Sequence, residues 1–280
     1  MKIDMHVHVT PKEISDNYEK YKESEPYFYM LSSSKQNKFA TAEEIVEDMK
    51  RTGIDKSVIF GFGFRDMGLC RYVNDYVIEK TKDNDKLIGF ISVNPNSPEA
   101  AYEIERCVSK GLKGIGELFP EGQQIDLVNK EATLDFTNAV RKFDIPMIIH
   151  MNEAVGHYYV GKTSTTLKEI EQFVLNNQDL KIILAHFGGG VFMYELMKEI
   201  REGFRNVYYD NAAAIFLYDP KIYSVMKEMG LMDKLVFGSD FPLLSPSRYE
   251  KSLKASGLTR EDFEKMFVSN PQKILGDILK

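Results

Sequence analysis

The chain has 280 residues, 43% of them hydrophobic and 28% charged, with a formal net charge of −6. These proportions belong to a globular protein able to bury roughly 75% of its unfolded surface, and the acidic balance argues against nucleic-acid partners and anionic membrane surfaces. No apolar run approaches the ~18 residues of a membrane span. The first eight residues hold two charges and two histidines, so no signal region is read there and a cytoplasmic protein is expected. Cys70 and Cys107 lack metal-type spacing and read as free thiols in a reducing compartment.

In chain order, the first strand spans residues 2–8 and carries Asp4, His6 and His8. Residues 11–40 are polar and rich in Tyr and Ser, and are too long for a turn. They read as an insertion over one face, a candidate lid. Thr41-Ala42-Glu43-Glu44 then caps a helix that Gly53 stops. Strand two, 56–62, leads into Gly61-Phe62-Gly63-Phe64-Arg65 and a helix over 69–82. Strand three, 87–93, is followed by Asn96-Ser97-Pro98-Glu99, which opens a helix ending near Lys110. Strand four is 112–119, with a helix over 129–143. Strand five, 146–151, precedes a loop holding His157, Tyr158, Tyr159 and Lys162, then a helix over 166–176. Strand six, 181–186, runs into Phe187-Gly188-Gly189-Gly190 and a helix to 203. Strand seven is 207–212, with a helix over 220–230. Strand eight is 234–240. The tail, 247–280, reads as helical with breaks at Gly257 and Pro271.

Near-continuous apolar strands alternating with helices imply a parallel sheet buried on both faces. Eight such units predict an α/β fold, a (β/α)8 TIM barrel forming one domain over 1–280, with an insertion after strand one and C-terminal helices. The competing doubly wound sheet lacks a Gly-x-Gly-x-x-Gly after its first strand.

In a barrel, chemistry gathers at the C-terminal ends of the strands. Those ends supply His6 and His8, Glu117, His150, His186 and Asp240. Taken singly, each is an ordinary rim histidine or turn carboxylate. Taken together, six residues at one mouth point to a metal site. Neutral imidazoles with a carboxylate suit Zn²⁺, with Mn²⁺ as the alternative. Asp4, two residues before His6, reads as lying on the same inward face, where it would orient a liganding imidazole by accepting its hydrogen bond.

The set Asp4-x-His6-x-His8, Ile148-Ile149-His150, Leu184-Ala185-His186-Phe187-Gly188-Gly189 and Phe237-Gly238-Ser239-Asp240-Phe241-Pro242 resembles the amidohydrolase superfamily. It is most similar to the amidohydrolase-related branch that includes aminocarboxymuconate-semialdehyde decarboxylase, and residues 268–275 resemble that branch's C-terminal segment. The resemblance implies that His6, His8, His150 and Asp240 bind one catalytic metal. It also implies that His186 is an acid/base or holds the attacking water, and that Asp240 takes a proton from that water. Glu117 departs from the branch. In binuclear relatives a strand-four carboxylate bridges two metals, so Glu117 is a candidate bridge or second-metal ligand with His186. One ion is expected ahead of two.

His157, Arg65 and Lys162 are the substrate-side candidates, and Arg248 follows strand eight. Phe62 with Phe64, and Tyr158 with Tyr159, are candidate pocket walls. The leading reading is a metal-dependent hydrolase acting on a small carboxylated or cyclic substrate. A non-oxidative decarboxylase on the same site is the alternative, and a two-metal phosphodiesterase the second. A small-molecule substrate is expected as partner, with a homodimer left open.

Overall fold

The computed structural model of the protein describes residues 1–36 and 38–276. Among these, eight strands are present: β1 (Ile3–His8), β2 (Lys56–Phe60), β3 (Leu87–Gly89), β4 (Ile115–Leu118), β5 (Met147–Ile149), β6 (Ile182–Leu184), β7 (Val207–Asp210) and β8 (Leu235–Val236). All pairs are parallel, in two runs, β1-β2-β3 and β4-β5-β6-β7-β8. The runs meet at both ends. Ile91 N–H donates to Gly114 O at 2.8 Å, and His8 N–H donates to Phe241 O at 2.7 Å, beside parallel bridges from Ile91 to Ile115 and from Val7 to Phe241. The predicted TIM barrel is the observed fold.

Strand alternation divides the apolar residues into two cores. Ile3, Met5, Phe60, Phe90, Ile148 and Ile183 fill the barrel. Val7, Ile59, Ile149, Ile182 and Leu184 face outward and pack with helix residues such as Ile45, Met49 and Ile104. The helix Ala42–Thr52 opens on the predicted capping box of Thr41 with Glu44 and ends at Gly53, whose φ is 72°. Met67–Lys82, Ala100–Ser109, Leu134–Phe143 and Leu167–Asn176 follow β2 to β5 in turn.

β1 breaks the alternation. Its register with β2 shifts between Asp4 and Val7, a bulge that lets Met5 and His6 both turn inward. Asp4 is thereby left outside the barrel, in a crevice with Val7, Ile45, Asp48 and Met49. The expectation that Asp4 shares the inward face of His6 is corrected by this bulge.

Three other expectations change. The segment after β6 is not one helix to Gly203. Ala185–Gly188 forms a left-handed turn, followed by a 3-10 turn (Val191–Leu196) and the helix Lys198–Gly203. The helix expected over 129–143 begins at Leu134. Pro271 is no break either, because Arg260–Glu264 continues through a π turn (Lys265–Ser269) into Asn270–Leu275, with Pro271 directly after the π turn. Residues 277–280 of the predicted tail lie outside the described residues, as does Asn37 within the 11–40 segment.

That segment holds two short helices, Lys12–Ser15 and Pro26–Ser32, with a 3-10 turn (Tyr18–Tyr21) between them. Phe28 anchors it, meeting Phe62 at 5.2 Å and Phe64 at 5.0 Å between ring centroids. Glu25, just before the second helix, is 2% exposed. Its carboxylate accepts the N–H groups of Arg65 at 2.9 Å and Asp66 at 2.7 Å.

Candidate metal centre

The six strand-end residues do converge. His6, His8, Glu117, His150, His186 and Asp240 are between 0% and 8% exposed, so their charges interact in a dry, weakly screening site. They form two groups. His6, His8 and Asp240 make one, and Glu117, His150 and His186 the other, with the donor atoms of each within 4.8 Å of one another. Glu117 spans both. Its Oε2 lies 3.7 Å from His6 Nε2 and 3.5 Å from His8 Nε2, while its Oε1 lies 3.1 Å from His150 Nδ1 and 3.8 Å from His186 Nε2. Asp240 Oδ1 sits 3.4 Å from His8 Nε2.

The far nitrogen of three imidazoles is occupied. His6 Nδ1–H donates to Asp210 Oδ2 at 2.8 Å, His186 Nδ1–H to Ala212 O at 2.8 Å, and His150 Nε2–H to Gly161 O at 3.1 Å. These bonds fix the tautomers. The lone pairs of His6 Nε2, His186 Nε2 and His150 Nδ1 are therefore turned toward one another and toward Glu117. His186 Nε2 and His150 Nδ1 are only 3.3 Å apart. Nitrogen and carboxylate donor atoms gathered at this spacing could hold a cation between them. His8 differs: its buried Nδ1 has no partner, and its ring is set by Phe62, stacked at 4.9 Å.

The electrostatics agree. Burial disfavours charge on His6, but Asp210, then Glu117 and Asp240, raise its pKa to about 10, so that without a cation a second proton sits on Nε2, the position a cation would take. Burial pushes the Glu117 carboxyl up, yet His6 and His150 bring it down to about 2. Asp240, also raised by burial, is held well below the usual carboxylate range by His8, His6 and His186. The carboxylates stay ionised, and the site demands positive charge. The donor set, its tautomers and its charge all fit divalent cations.

Backbone geometry holds these groups. Asp240 and His186 lie in the left-handed region, at φ 62° and 57°, where non-glycine residues are uncommon and cluster at functional sites. Asp210 Oδ1 holds the His186 turn by accepting its N–H at 2.8 Å. The run Gly188-Gly189-Gly190 continues the left-handed path, and a Cβ on Gly189 would run into the Asn152 backbone. Asp4 acts from outside the barrel: its Oδ1 accepts the N–H of Ser239, beside Asp240, at 2.9 Å and that of His6 at 3.2 Å. Burial raises the Asp4 carboxyl to about 7 against those bonds.

Asp210 is the residue that sequence reasoning missed. It performs the imidazole-orienting role expected of Asp4. It ends β7 as the other site residues end their strands, and that signal was available. The structure also parts His150 from the set expected for one metal, because its Nε2 is turned to Gly161 and its Nδ1 faces Glu117 and His186.

Above the donors lies a cavity of about 310 Å³. His157, exposed, lines it, as do Phe62 and Tyr159. Arg65 and Lys162 do not: Arg65 Nε donates to Gly122 O at 2.6 Å, and Lys162 donates to the carbonyls of Val155, Gly156 and His157. Arg248, exposed on the 3-10 turn Pro246–Tyr249, is also outside the lining. Phe64 is buried beneath Phe28, and Tyr158 is 67% exposed.

The chain belongs to the amidohydrolase family, whose sequence profile matches residues 3–276. No curated protein sequence matches it. Among solved structures, 5-carboxyvanillate decarboxylase from Novosphingobium aromaticivorans, complexed with manganese, is similar at 19% identity and TM-score 0.73, over 98% of this chain and 96% of that one. The corresponding decarboxylase from Sphingomonas paucimobilis gives 14% identity and TM-score 0.77, over 98% of each chain. A protein from Acinetobacter baumannii assigned as a 2-pyrone-4,6-dicarboxylic acid hydrolase gives 14% and 0.64, over 98% of this chain and 99% of that one. The chain is thus an enzyme fold of the amidohydrolase-related branch, and none of its described helices is long and apolar enough to cross a membrane.

Proposed function

We propose that the protein is a hydrolase that uses two divalent cations to open a small cyclic or ring-bearing ester, lactone or amide. One observation carries this reading: Glu117 directs one carboxylate oxygen at each histidine group. His6, His8 and Asp240 would hold one cation and His150 and His186 the other, with Glu117 shared. Zn²⁺ suits the nitrogen-and-oxygen donor set, and Mn²⁺, named in a related structure, is the alternative. Such ions, when bound, supply a water of lowered pKa and polarise a carbonyl oxygen.

The chain's own groups do the rest. Asp240 lines the cavity with Oδ1 beside His8, where it can take the proton of the attacking water and pass it to the leaving group. His186, with its Nε2 turned toward Glu117 and His150, suits the role of ligand better than that of acid/base. Asp210 fixes the His6 tautomer. Buried Cys70 and Cys107, both free, suit a reducing compartment, and the cytoplasm is the proposed location.

The second reading, a non-oxidative decarboxylase, is supported by the fold shared with the carboxyvanillate enzymes. Turnover in ¹⁸O-water separates the two. The hydrolase reading expects one ¹⁸O in the acid product of an aryl ester or lactone. It fails if the cation-loaded protein labels no product but releases CO₂ from aromatic acids. Two cations would also serve a phosphodiesterase, but the cavity walls are aromatic and, among the described residues, offer no lysine or arginine to a second phosphate oxygen.

A further inference from the structure

Outward from the donors the cavity becomes a cage of rings. Phe62 lies on the His8 ring, and Phe119 lies on the His150 ring with centroids 4.0 Å apart. The helix Pro26–Ser32 sets one more ring against each. Phe28 meets Phe62 at 5.2 Å, and Tyr27 meets Phe119 at 4.7 Å. Leu31, on the next turn of that helix, completes this roof. The roof is fixed in place, because the buried Glu25 carboxylate ties the start of the helix to the β2 loop. The 11–40 segment therefore supplies Tyr27, Phe28, Leu31, Ser34 and Gln36 to the wall that a substrate would touch.

The cations near this wall are committed elsewhere. Arg65 Nε bonds Gly122 O, and the Lys162 ammonium bonds three loop carbonyls and lies over the Tyr159 ring at 5.7 Å. Among the described residues no lysine or arginine lines the cavity, and His157, its one imidazole outside the donor set, is solvent-exposed. An anionic group pointing away from the donors would meet rings and the neutral polar groups of Tyr27, Tyr159, Ser34 and Gln36, with no lysine or arginine among the described lining residues to pair its charge.

We propose that the cavity takes a substrate built on one ring, with a single polar group at the donor atoms and no anionic group at its far end. Carboxylated substrates with a second charge are selected against by the Pro26–Ser32 roof, with Leu31 and Phe28 as the specificity-determining residues. Which bond reacts rests on the hydrolase reading, whereas the ring and the missing charge do not.

Two inert probes isolate the far end. 4-Acetylbenzoate and terephthalate each carry one carboxylate for the donors on the same ring, and differ in an acetyl group against a second carboxylate. Titration calorimetry of the full chain loaded with Zn²⁺ is expected to give 4-acetylbenzoate at least about tenfold tighter binding, since stranding a charge costs well over the ~1.4 kcal/mol that tenfold represents. Leu31→Arg, which places a cation in the roof, is expected to remove that preference by gaining terephthalate. Terephthalate binding as tightly as 4-acetylbenzoate to the unaltered chain overturns the proposal, as does failure of 4-acetylbenzoate to bind. That comparison needs no variant. Because neither probe has an ester or amide bond to hydrolyse, absence of ¹⁸O labelling would sink the hydrolase reading alone.

Discussion

Replacing Asp210 by Asn tests how the site is built. Asp210 is fully buried. One oxygen accepts from His6 Nδ1 at 2.8 Å, and the other accepts the N–H groups of His186 at 2.8 Å and Ala212 at 3.0 Å. Asn keeps the shape and can serve the two backbone donors with its carbonyl oxygen. Its amide then turns an N–H toward His6 Nδ1. The imidazole must answer with a lone pair there, which moves its proton to Nε2 and points that proton into the donor cluster. Loss of an orienting partner typically weakens metal binding 10–100-fold, or ~1.4–2.7 kcal/mol. Asp210→Asn should therefore bind Zn²⁺ that much more weakly in competition with a chromogenic chelator, while circular dichroism shows a folded protein. Asp210→Ala is a poorer probe, since three orphaned donors at ~1–3 kcal/mol each rival the whole stability of a domain. Asn binding within about twofold of the unaltered chain would refute the orienting role.

Three further outcomes are expected. Glu25→Ala frees the Arg65 and Asp66 N–H groups, and should cost ~1–3 kcal/mol in urea unfolding together with protease cleavage within 11–36. Burial raises the Glu25 carboxyl above its ordinary value despite those bonds. The folded state thus binds the proton more tightly, and this contribution is full below the ordinary carboxylate range and lost as pH rises through the raised value; Glu25→Gln should flatten that part of the stability–pH curve. Gly189→Ala meets both a φ of 58° and the Asn152 backbone and should abolish metal binding, whereas Gly230→Ala, at φ 70° with open space around it, should cost only ~1 kcal/mol. Lys234→Met removes the ammonium 2.6 Å from the fully buried Glu195, leaving that carboxylate the Tyr209 hydroxyl, and should lose ~3–5 kcal/mol in denaturant; a loss below ~1 kcal/mol would refute the pairing.

The barrel and its six strand-end residues were legible because both follow from one rule. Apolar runs bounded by polar ends become strands, and parallel order puts all those ends on one side. The same rule applied to β7 would have found Asp210. Asp4 was misplaced because period-two alternation cannot foresee a bulge, which costs one residue of register and reverses the face. The left-handed turn at His186 was hidden as well: three glycines announce conformational freedom without saying which way the chain turns. Arg65 and Lys162 look like free cations in a sequence, and their capture by backbone carbonyls depends on loop paths that no local pattern encodes. The pairing of His150 with His186 depends on which ring nitrogen meets Gly161, a contact made only in three dimensions.

Metal content of the intact chain is the most direct test of the shared-carboxylate site. After chelation and reconstitution with Zn²⁺ or Mn²⁺, mass spectrometry of the gel-filtered protein should find two ions per chain, falling to one or fewer in Glu117→Gln while the fold is retained. One ion per chain, unchanged by Glu117→Gln, would contradict the account.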